Sequence, residues 1–352
     1  MTEALALELD VALELVPPAL VVLVGVLLAR FRRLFRPVGA EIGIFKQLGR
    51  VGREIYRDRT LGHRWRRLRI LSYGITDRAV LRRWFRANDN PRLVEARKRS
   101  PEIDCTIHWP YIHCDWPRAR KLEVIDQHYR LAEGRAAVLG IVVWRDVVVA
   151  RLDEQYPGLR IVLDRAPWFA REGEVVLNLF LDERRIFSVA FSLGLEGDQR
   201  VAYVGAIQGM RSPDALEIYR LLTRAMHGQR PRDLLMIALR YLLGAVGVDR
   251  IRAVSGSVRQ HQSDFFAEPQ RDKVMLDYDT VWTDQGGWPR DDGFFEIPVV
   301  VHQRDLKEIQ SRKRALYRRR YAMLEEIRRT IVASCTLHST RADARARDVA
   351  AS

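Results

Sequence analysis

The run Glu174-Val-Val-Leu-Asn-Leu-Phe-Leu181 is followed by Arg185-Ile-Phe-Ser-Val-Ala-Phe-Ser-Leu193 and then by Val201-Ala-Tyr-Val-Gly-Ala-Ile-Gln208. Short runs rich in β-branched and aromatic residues, bounded by turn formers, read as strands. Asp182-Glu183-Arg184 joins the first two as a hairpin over 174–181 and 185–193. The third run, 201–208, adds a neighbour. Outward from this core, 160–164 reads as a strand before the hairpin. After it come a helix over 213–226 and another over 231–246. Pro231 suits a first helical turn, and Gly247 lies just past the end. Strands follow at 251–255, 273–278 and 293–300, with a short helix near 258–266. A basic helix over 304–332 carries an apolar seam of Leu306, Ile309, Tyr317, Tyr321, Leu324, Ile327 and Ile331.

Upstream the period changes. Ile44, Leu48, Val51 and Ile55 recur at helical spacing, and Leu68, Leu71, Val80, Leu81, Trp84 and Phe85 continue it. Asn88-Asp89-Asn90-Pro91 is a break. Residues 117–133 read as a helix, and 136–150 fit a buried helix or a strand equally. The fold class is therefore α+β: an N-terminal helical region, then a mixed, mostly antiparallel seven-stranded sheet with helices on both sides. The expected divisions are a leader (1–37), a helical region (38–155), the sheet domain (156–333) and a disordered tail (334–352).

With 352 residues, 47% hydrophobic and 30% charged, the chain buries a real core, which excludes disordered, collagen-like and multi-span classes. Three cysteines, Cys105, Cys114 and Cys335, make no disulfide framework. The net charge of +14 is unevenly placed. Residues 30–99 hold 21 basic and 6 acidic residues, whereas 100–303 hold 25 basic and 29 acidic. A basic flank faces a polyanion or is a solvated helical surface. The apolar run 15–29 ends in Arg30, Arg32, Arg33 and Arg36. At about 15 residues it is short of the ~20 that a spanning helix wants. These four arginines are the candidate membrane contacts. Interleaved aromatics (Phe31, Phe35, Phe45, Tyr56, Trp65) suit a lipid interface. No nucleic-acid motif accompanies them, so nucleic acid is not an expected partner.

Several further stretches together resemble the VirK/YbjX family of bacterial proteins over about residues 40–330. They are Gln127-His128-Tyr129, Phe187-Ser-Val-Ala-Phe191, Tyr203-Val-Gly-Ala-Ile-Gln-Gly209, Leu222 to Pro231, Ala253-Val-Ser255, Tyr278-Asp-Thr-Val-Trp282, Gly293 to Pro298 and Ser311 to Tyr321. The resemblance implies a Gram-negative protein linked to virulence, envelope remodelling and antimicrobial-peptide tolerance. It implies no known biochemical activity. The order of elements from 160 onward is in addition similar to that of the GNAT acyltransferases. There the fourth strand and the following helix splay to admit acyl-CoA, and free amides at a helix start hold its pyrophosphate.

That second resemblance nominates Gln208, Gly209, Gly228, Gln229, Arg230 and Arg232 as cofactor-binding residues, with acyl-CoA the cofactor called for. The usual Gln/Arg-x-x-Gly-x-Gly/Ala loop after the fourth strand is absent, and an extra helix stands in its place. A turn with a structural arginine is the competing reading of Gly228–Arg232. His227 and His261 are candidate general bases, and Tyr278 a candidate proton donor; ordinary packing is the alternative for each. Asp279 and Glu296 are candidate substrate contacts. Cys105-x-x-His108-x4-His113-Cys114 matches no strong zinc spacing and is interrupted by Trp109 and Pro110, so no metal is expected. The function so read is acyl transfer to an amine or hydroxyl of a small or lipid-linked envelope molecule. The expected place is the cytoplasm, peripheral to or N-terminally anchored at the inner membrane. A non-catalytic membrane-surface or regulatory module is the alternative.

Overall fold

The computed structural model describes residues 43–58, 60–86, 89–266 and 276–351. The leader with its apolar run, Arg30, Arg32, Arg33 and Arg36 lie outside them. The chain divides into two compact units, Met1–Phe85 and Arg86–Ser352. In the first, α1 (43–55), α2 (Leu61–Thr76) and α3 (Arg78–Phe85) bury Ile44, Leu48, Val51, Ile70, Leu81 and Trp84. The Thr60 hydroxyl caps α2 by accepting from the His63 N–H at 3.3 Å. Leu68, expected in the apolar pattern, is exposed.

The second unit opens with α4 (Pro91–Arg99), α5 (Arg118–Leu131) and the short α6 (Ala137–Ile141). The ambiguous stretch thus splits at Arg145-Asp146 into a helix and a strand. An eight-stranded sheet follows: β1 (Val147–Arg151), β2 (Leu159–Asp164), β3 (Val175–Leu181), β4 (Arg184–Glu196), β5 (Gln199–Gly209), β6 (Arg250–Val254), β7 (Trp288–Pro289) and β8 (Phe294–Ile297). Between β5 and β6 lie α7 (Ala215–Ala225) and α8 (Pro231–Ala245); α9 (Tyr278–Asp284) precedes β7, and α10 (Ser311–Ala351) ends the chain.

The strand order is β1-β2-β3-β4-β5-β6-β8-β7. Every neighbouring pair is antiparallel except β5 with β6. The mixed α+β class is as the sequence indicates, with eight strands rather than seven. Two are additional, β1 and the two-residue β7. One expected strand, 273–278, is not formed at its described end, where Tyr278 begins α9. The Asp277 carboxylate accepts from the Asp279 and Thr280 N–H groups and caps that helix. The helix expected at 304–332 starts at Ser311 and runs on through Ala351, across the tail expected to be disordered.

Helices pack around the sheet: α8 against β3 and β4, α10 against α8, α6 and β1, and α5 against β4. The residues Gln127-His128-Tyr129 of α5 explain the last contact. β3 stops pairing with β4 at Val175↔Phe191, which leaves later β4 amides without a strand partner. His128 Nδ1 accepts from Leu193 N–H at 3.1 Å and Gln127 Oε1 accepts from Leu195 N–H at 3.0 Å. Two side chains thus do the work of a missing strand edge. Tyr129 donates to the buried Glu174 carboxylate at 2.7 Å, which Tyr111 and Arg165 also reach.

Candidate functional site

The parallel strands β5 and β6 pair only from Val201↔Arg250 to Val204↔Ala253. Beyond that point they part. The cause is local. Between β4 and β5 the register shifts from Ala190↔Ala206 to Phe191↔Val204, so Gly205 is an extra, bulged residue. A bulge bends its strand and raises the twist. The rest of β5, Gly205–Gly209, therefore leaves β6 and opens a wedge at the carboxyl ends of both strands. Such divergence points are where open sheets bind ligands.

Two glycines let a loop cross this wedge. A Cβ on Gly205 would lie 2.1 Å from the Glu172 carbonyl oxygen, and one on Gly173 would lie 2.5 Å from the Phe191 nitrogen. No side chain fits at either position. The crossing carries Glu172 into the interior, where its residue is 4% exposed. Its carboxylate accepts from Gln208 Nε2 at 3.3 Å and from Gln260 Nε2 at 3.3 Å. His261 Nδ1 lies 4.0 Å away. Burial pushes the Glu172 carboxyl up to about 7, against the opposing pull of Gln260, Arg171 and Arg259. Burial and the fields of Arg259, Arg171 and Arg211 push His261 down to about 4, so its ring is neutral at pH 7. The site thus holds a carboxyl group poised to exchange a proton near neutral pH.

Tyr278 closes the wedge from α9. Its hydroxyl accepts from the Ile207 N–H at 3.2 Å, taking a β5 amide that β6 no longer serves. Burial holds its own ionisation far above the ordinary tyrosine value. Asp279, next in α9, fixes the segment after β6: its carboxylate accepts from the Gly256 N–H at 2.8 Å and from the Ser255 hydroxyl at 3.1 Å. Trp282 Nε1 donates to the Val254 carbonyl at 2.8 Å. The segment is tied on its other side, where Cys114 N–H donates to the Val258 carbonyl at 2.7 Å and His113 bridges to Arg259. Ile112 N–H donates to the Arg171 carbonyl at 2.8 Å, so the strap 111–114 braces both loops of the site.

The structure gathers Gln208, His261 and Tyr278 around Glu172. His227 and Gly228–Arg232 form a separate group at the α7–α8 turn. His227 takes φ 53 and Gly228 φ 77. Arg320 of α10 donates to the His227 carbonyl at 3.0 and 2.9 Å, which links two of the stretches that carry the family resemblance. Gln229 is buried, Arg230 is exposed at the start of α8, and Arg232 pairs with Asp233 and Asp284 at 2.9 and 3.0 Å. A Cβ on Gly209 would meet the Tyr219 hydroxyl at 2.7 Å. Glu296 belongs to a third group, where it and Glu196 flank the buried guanidinium of Arg252. The ligand atoms of His113, Cys114 and Asp115 lie within 4.8 Å of one another. However, His113 Nδ1 accepts from the Asp115 N–H at 3.1 Å, its ring also donates to the Asp292 backbone, and burial holds the Cys114 thiol up at about 11. The His113 ring nitrogens are thus committed to backbone groups, and the Cys114 thiol stays protonated.

Glu172, Gln260, Arg259 and Arg171 were not legible as site residues. Arg171-Glu172-Gly173-Glu174 reads as a polar loop, and nothing local marks Glu172 as buried. The one signal was the pair Gly173 and Gly205, which only the tertiary contact explains.

This geometry defines a class: a mixed, mostly antiparallel open-sheet α+β protein with a buried carboxyl where its two parallel strands diverge. The chain belongs to the family described as "protein of unknown function (DUF535)", whose model matches residues 59–333. It is 26% identical over 244 residues to the uncharacterised protein YbjX of Escherichia coli K12, covering 67% of this chain and 73% of that one. An uncharacterised Haemophilus influenzae protein is 27% identical over 225 residues, covering 61% of this chain and 72% of its own. These relatives bear out the VirK/YbjX resemblance. No solved structure matches the chain.

Proposed function

We propose that this protein is an acyltransferase in which Glu172 is the general base. The observation that carries the reading is the Glu172 carboxyl itself, buried at the strand divergence and pushed up to about 7. A base of that strength takes a proton from a bound hydroxyl or amine near neutral pH. The deprotonated oxygen or nitrogen attacks the thioester carbonyl of the donor. The carbon–sulfur bond breaks, and the proton held by Glu172 passes to the leaving thiolate. His261 and Gln208 flank the base. The amino end of α8, with Arg230 exposed beside it, would receive the donor's phosphates. The GNAT-like element order supports acyl-CoA as that donor, and the family resemblance supports an envelope molecule as acceptor.

The test is release of free thiol from acetyl-CoA and from a long-chain acyl-CoA in the presence of amine- and hydroxyl-bearing envelope extracts. Wild-type protein should release thiol at a rate that rises through pH 7 and levels above it. Glu172→Gln should be slower by about a hundredfold or more. Equal rates in the two proteins, or no release from either donor, would overturn the reading.

A second reading, attachment to an anionic membrane surface, is favoured by α2. Leu61, Trp65, Leu68 and Ile75 are each more than half exposed. At 100° per residue they fall within an arc of about 80° on one helix face. Arg64 and Arg69 border that face, and both are exposed. An apolar stripe edged by arginine suits the boundary between headgroups and acyl chains. With Arg30, Arg32, Arg33 and Arg36 nearby in sequence, it would hold the protein at the inner face of the cytoplasmic membrane.

A further inference from the structure

A buried cation with no ion-pair contact among the described residues is the least expected feature of the wedge. Arg259 is 8% exposed. Its guanidinium lies over the Tyr278 ring, 4.9 Å from the centroid, and its Nε has no hydrogen-bond partner. No carboxylate among the described residues lies within ion-pair distance of it. Gln260 beside it is 3% exposed, and its Oε1 also lacks a partner. A charge held away from water costs several kcal/mol unless something pairs with it. The Glu172 carboxylate feels the field of Arg259, but its hydrogen bonds come from Gln208 and Gln260.

Two further cations face the same space. Arg171 is half-buried and forms no ion pair among the described residues. It is sandwiched between Trp109 (5.2 Å) and Phe266 (5.1 Å). Arg211, exposed, contributes to the positive field at His261. His261 is itself stacked on Phe266 at 5.5 Å and 16°. The wedge therefore offers a rigid guanidinium, a second one fixed between aromatic rings, and an apolar wall.

We infer that this wedge binds an oxyanion, a phosphoryl or carboxylate group carried by the acceptor substrate, with Arg259 as its principal partner and Arg171 as the second. Guanidinium groups bind both anions by paired N–H donors. The bound oxyanion supplies the charge that Arg259 lacks and sets the acceptor's nucleophile beside Glu172. Phe265, Phe266 and Trp109 then border the apolar body of the molecule that bears the anion. Only the statement that the anion's carrier is the acceptor rests on the proposed reaction; the anion site itself does not.

Binding of inorganic phosphate and of acetate to the full chain, followed by thermal stabilisation against sodium chloride of equal ionic strength, tests the inference. The wild type should show a saturable rise in melting temperature with at least one of the two. Phosphate alone assigns a phosphoryl group, and a response to acetate assigns a carboxylate. Arg259→Met should weaken binding by about tenfold or more while melting no lower than wild type without anion, because an unpaired buried charge has gone. Arg171→Met, at a half-buried position, is the second variant and should weaken binding in the same direction. Glu172→Gln should bind the anion at least as tightly as wild type, because a nearby negative charge is removed. No saturable response to either anion, or Arg259→Met and Arg171→Met affinities both within twofold of wild type, would overturn the inference. Anion binding that persists in a protein without thiol release would instead sink the acyltransferase reading alone.

Discussion

Glu172 ties stability to pH at the scale of one residue. Its folded-state pKa lies above the unfolded value, so folding favours the protonated carboxyl. Its stabilising contribution is complete below about pH 4.5 and is lost as pH rises to about 7. The shift from 4.5 to about 7 is worth about 3 kcal/mol. Glu172→Gln, neutral at every pH, should be more stable than wild type at pH 8 by up to about 3 kcal/mol, and the two should converge near pH 4. Urea denaturation across that range measures this; parallel curves for the two proteins would contradict it. His128 runs the other way. Burial pushes it down to about 4, so folding favours the neutral ring. Its contribution is complete above pH 6.5 and is lost as pH falls toward 4. Gly205→Ala forces a Cβ against the Glu172 carbonyl oxygen. It should cost at least about 2 kcal/mol and disturb the site with it, since a backbone atom cannot swing aside. An unchanged melting temperature would refute the close approach.

Among the elements, two junctions matter. The first is α5 on β4, where Gln127 and His128 serve strand amides. His128→Leu keeps the volume and removes the acceptor, so Leu193 N–H is buried without a partner. The expected loss is about 1–3 kcal/mol at pH 7. Because Leu cannot titrate, the fall in stability between pH 6.5 and 4 should shrink in the variant; chemical denaturation at several pH values reads both. The second junction is β5 with β6. The bulge at Gly205 parts them, Tyr278 fills the gap at Ile207, and Asp279 fixes the loop that bears Arg259 and Gln260. The segment Tyr278-Asp-Thr-Val-Trp282, expected partly as a strand, is a helix because Asp277 caps it and three of its side chains reach this one divergence.

Over the whole molecule the charge is uneven along the sequence. Residues 30–99 have 21 basic and 6 acidic residues, while 100–303 have 25 basic and 29 acidic. If α2 meets a membrane, binding to phosphatidylglycerol vesicles should weaken as salt rises through the range where the Debye length falls to about 8 Å. Trp65→Ser should weaken it several-fold at constant salt. Cosedimentation measures both, and equal binding to neutral and anionic vesicles would rule this attachment out. Among the described residues, no helix is long and apolar enough to cross a membrane.

The strands of the hairpin, the helices after β5 and the α+β class were written in local patterns, because period-2 runs and capped helices depend on neighbours in sequence. Gln208 at the end of an apolar strand, Tyr278 at the end of an expected strand and His261 beside the expected cleft were singled out from the sequence, and the structure brings the three together around Glu172. The sequence by itself determined most of the elements, the family and the uneven charge, but not β1, β7, the helical start at Tyr278 or the length of the last helix. Only the tertiary structure decided where the site lies. Glu172 acquires its proton affinity from burial under contacts up to 88 residues distant in sequence, and Arg259 becomes an unpaired cation only once the strap 111–114, α9 and the loop after β6 enclose it. Desolvation depends on what surrounds a group in space, and no local run of residues encodes it.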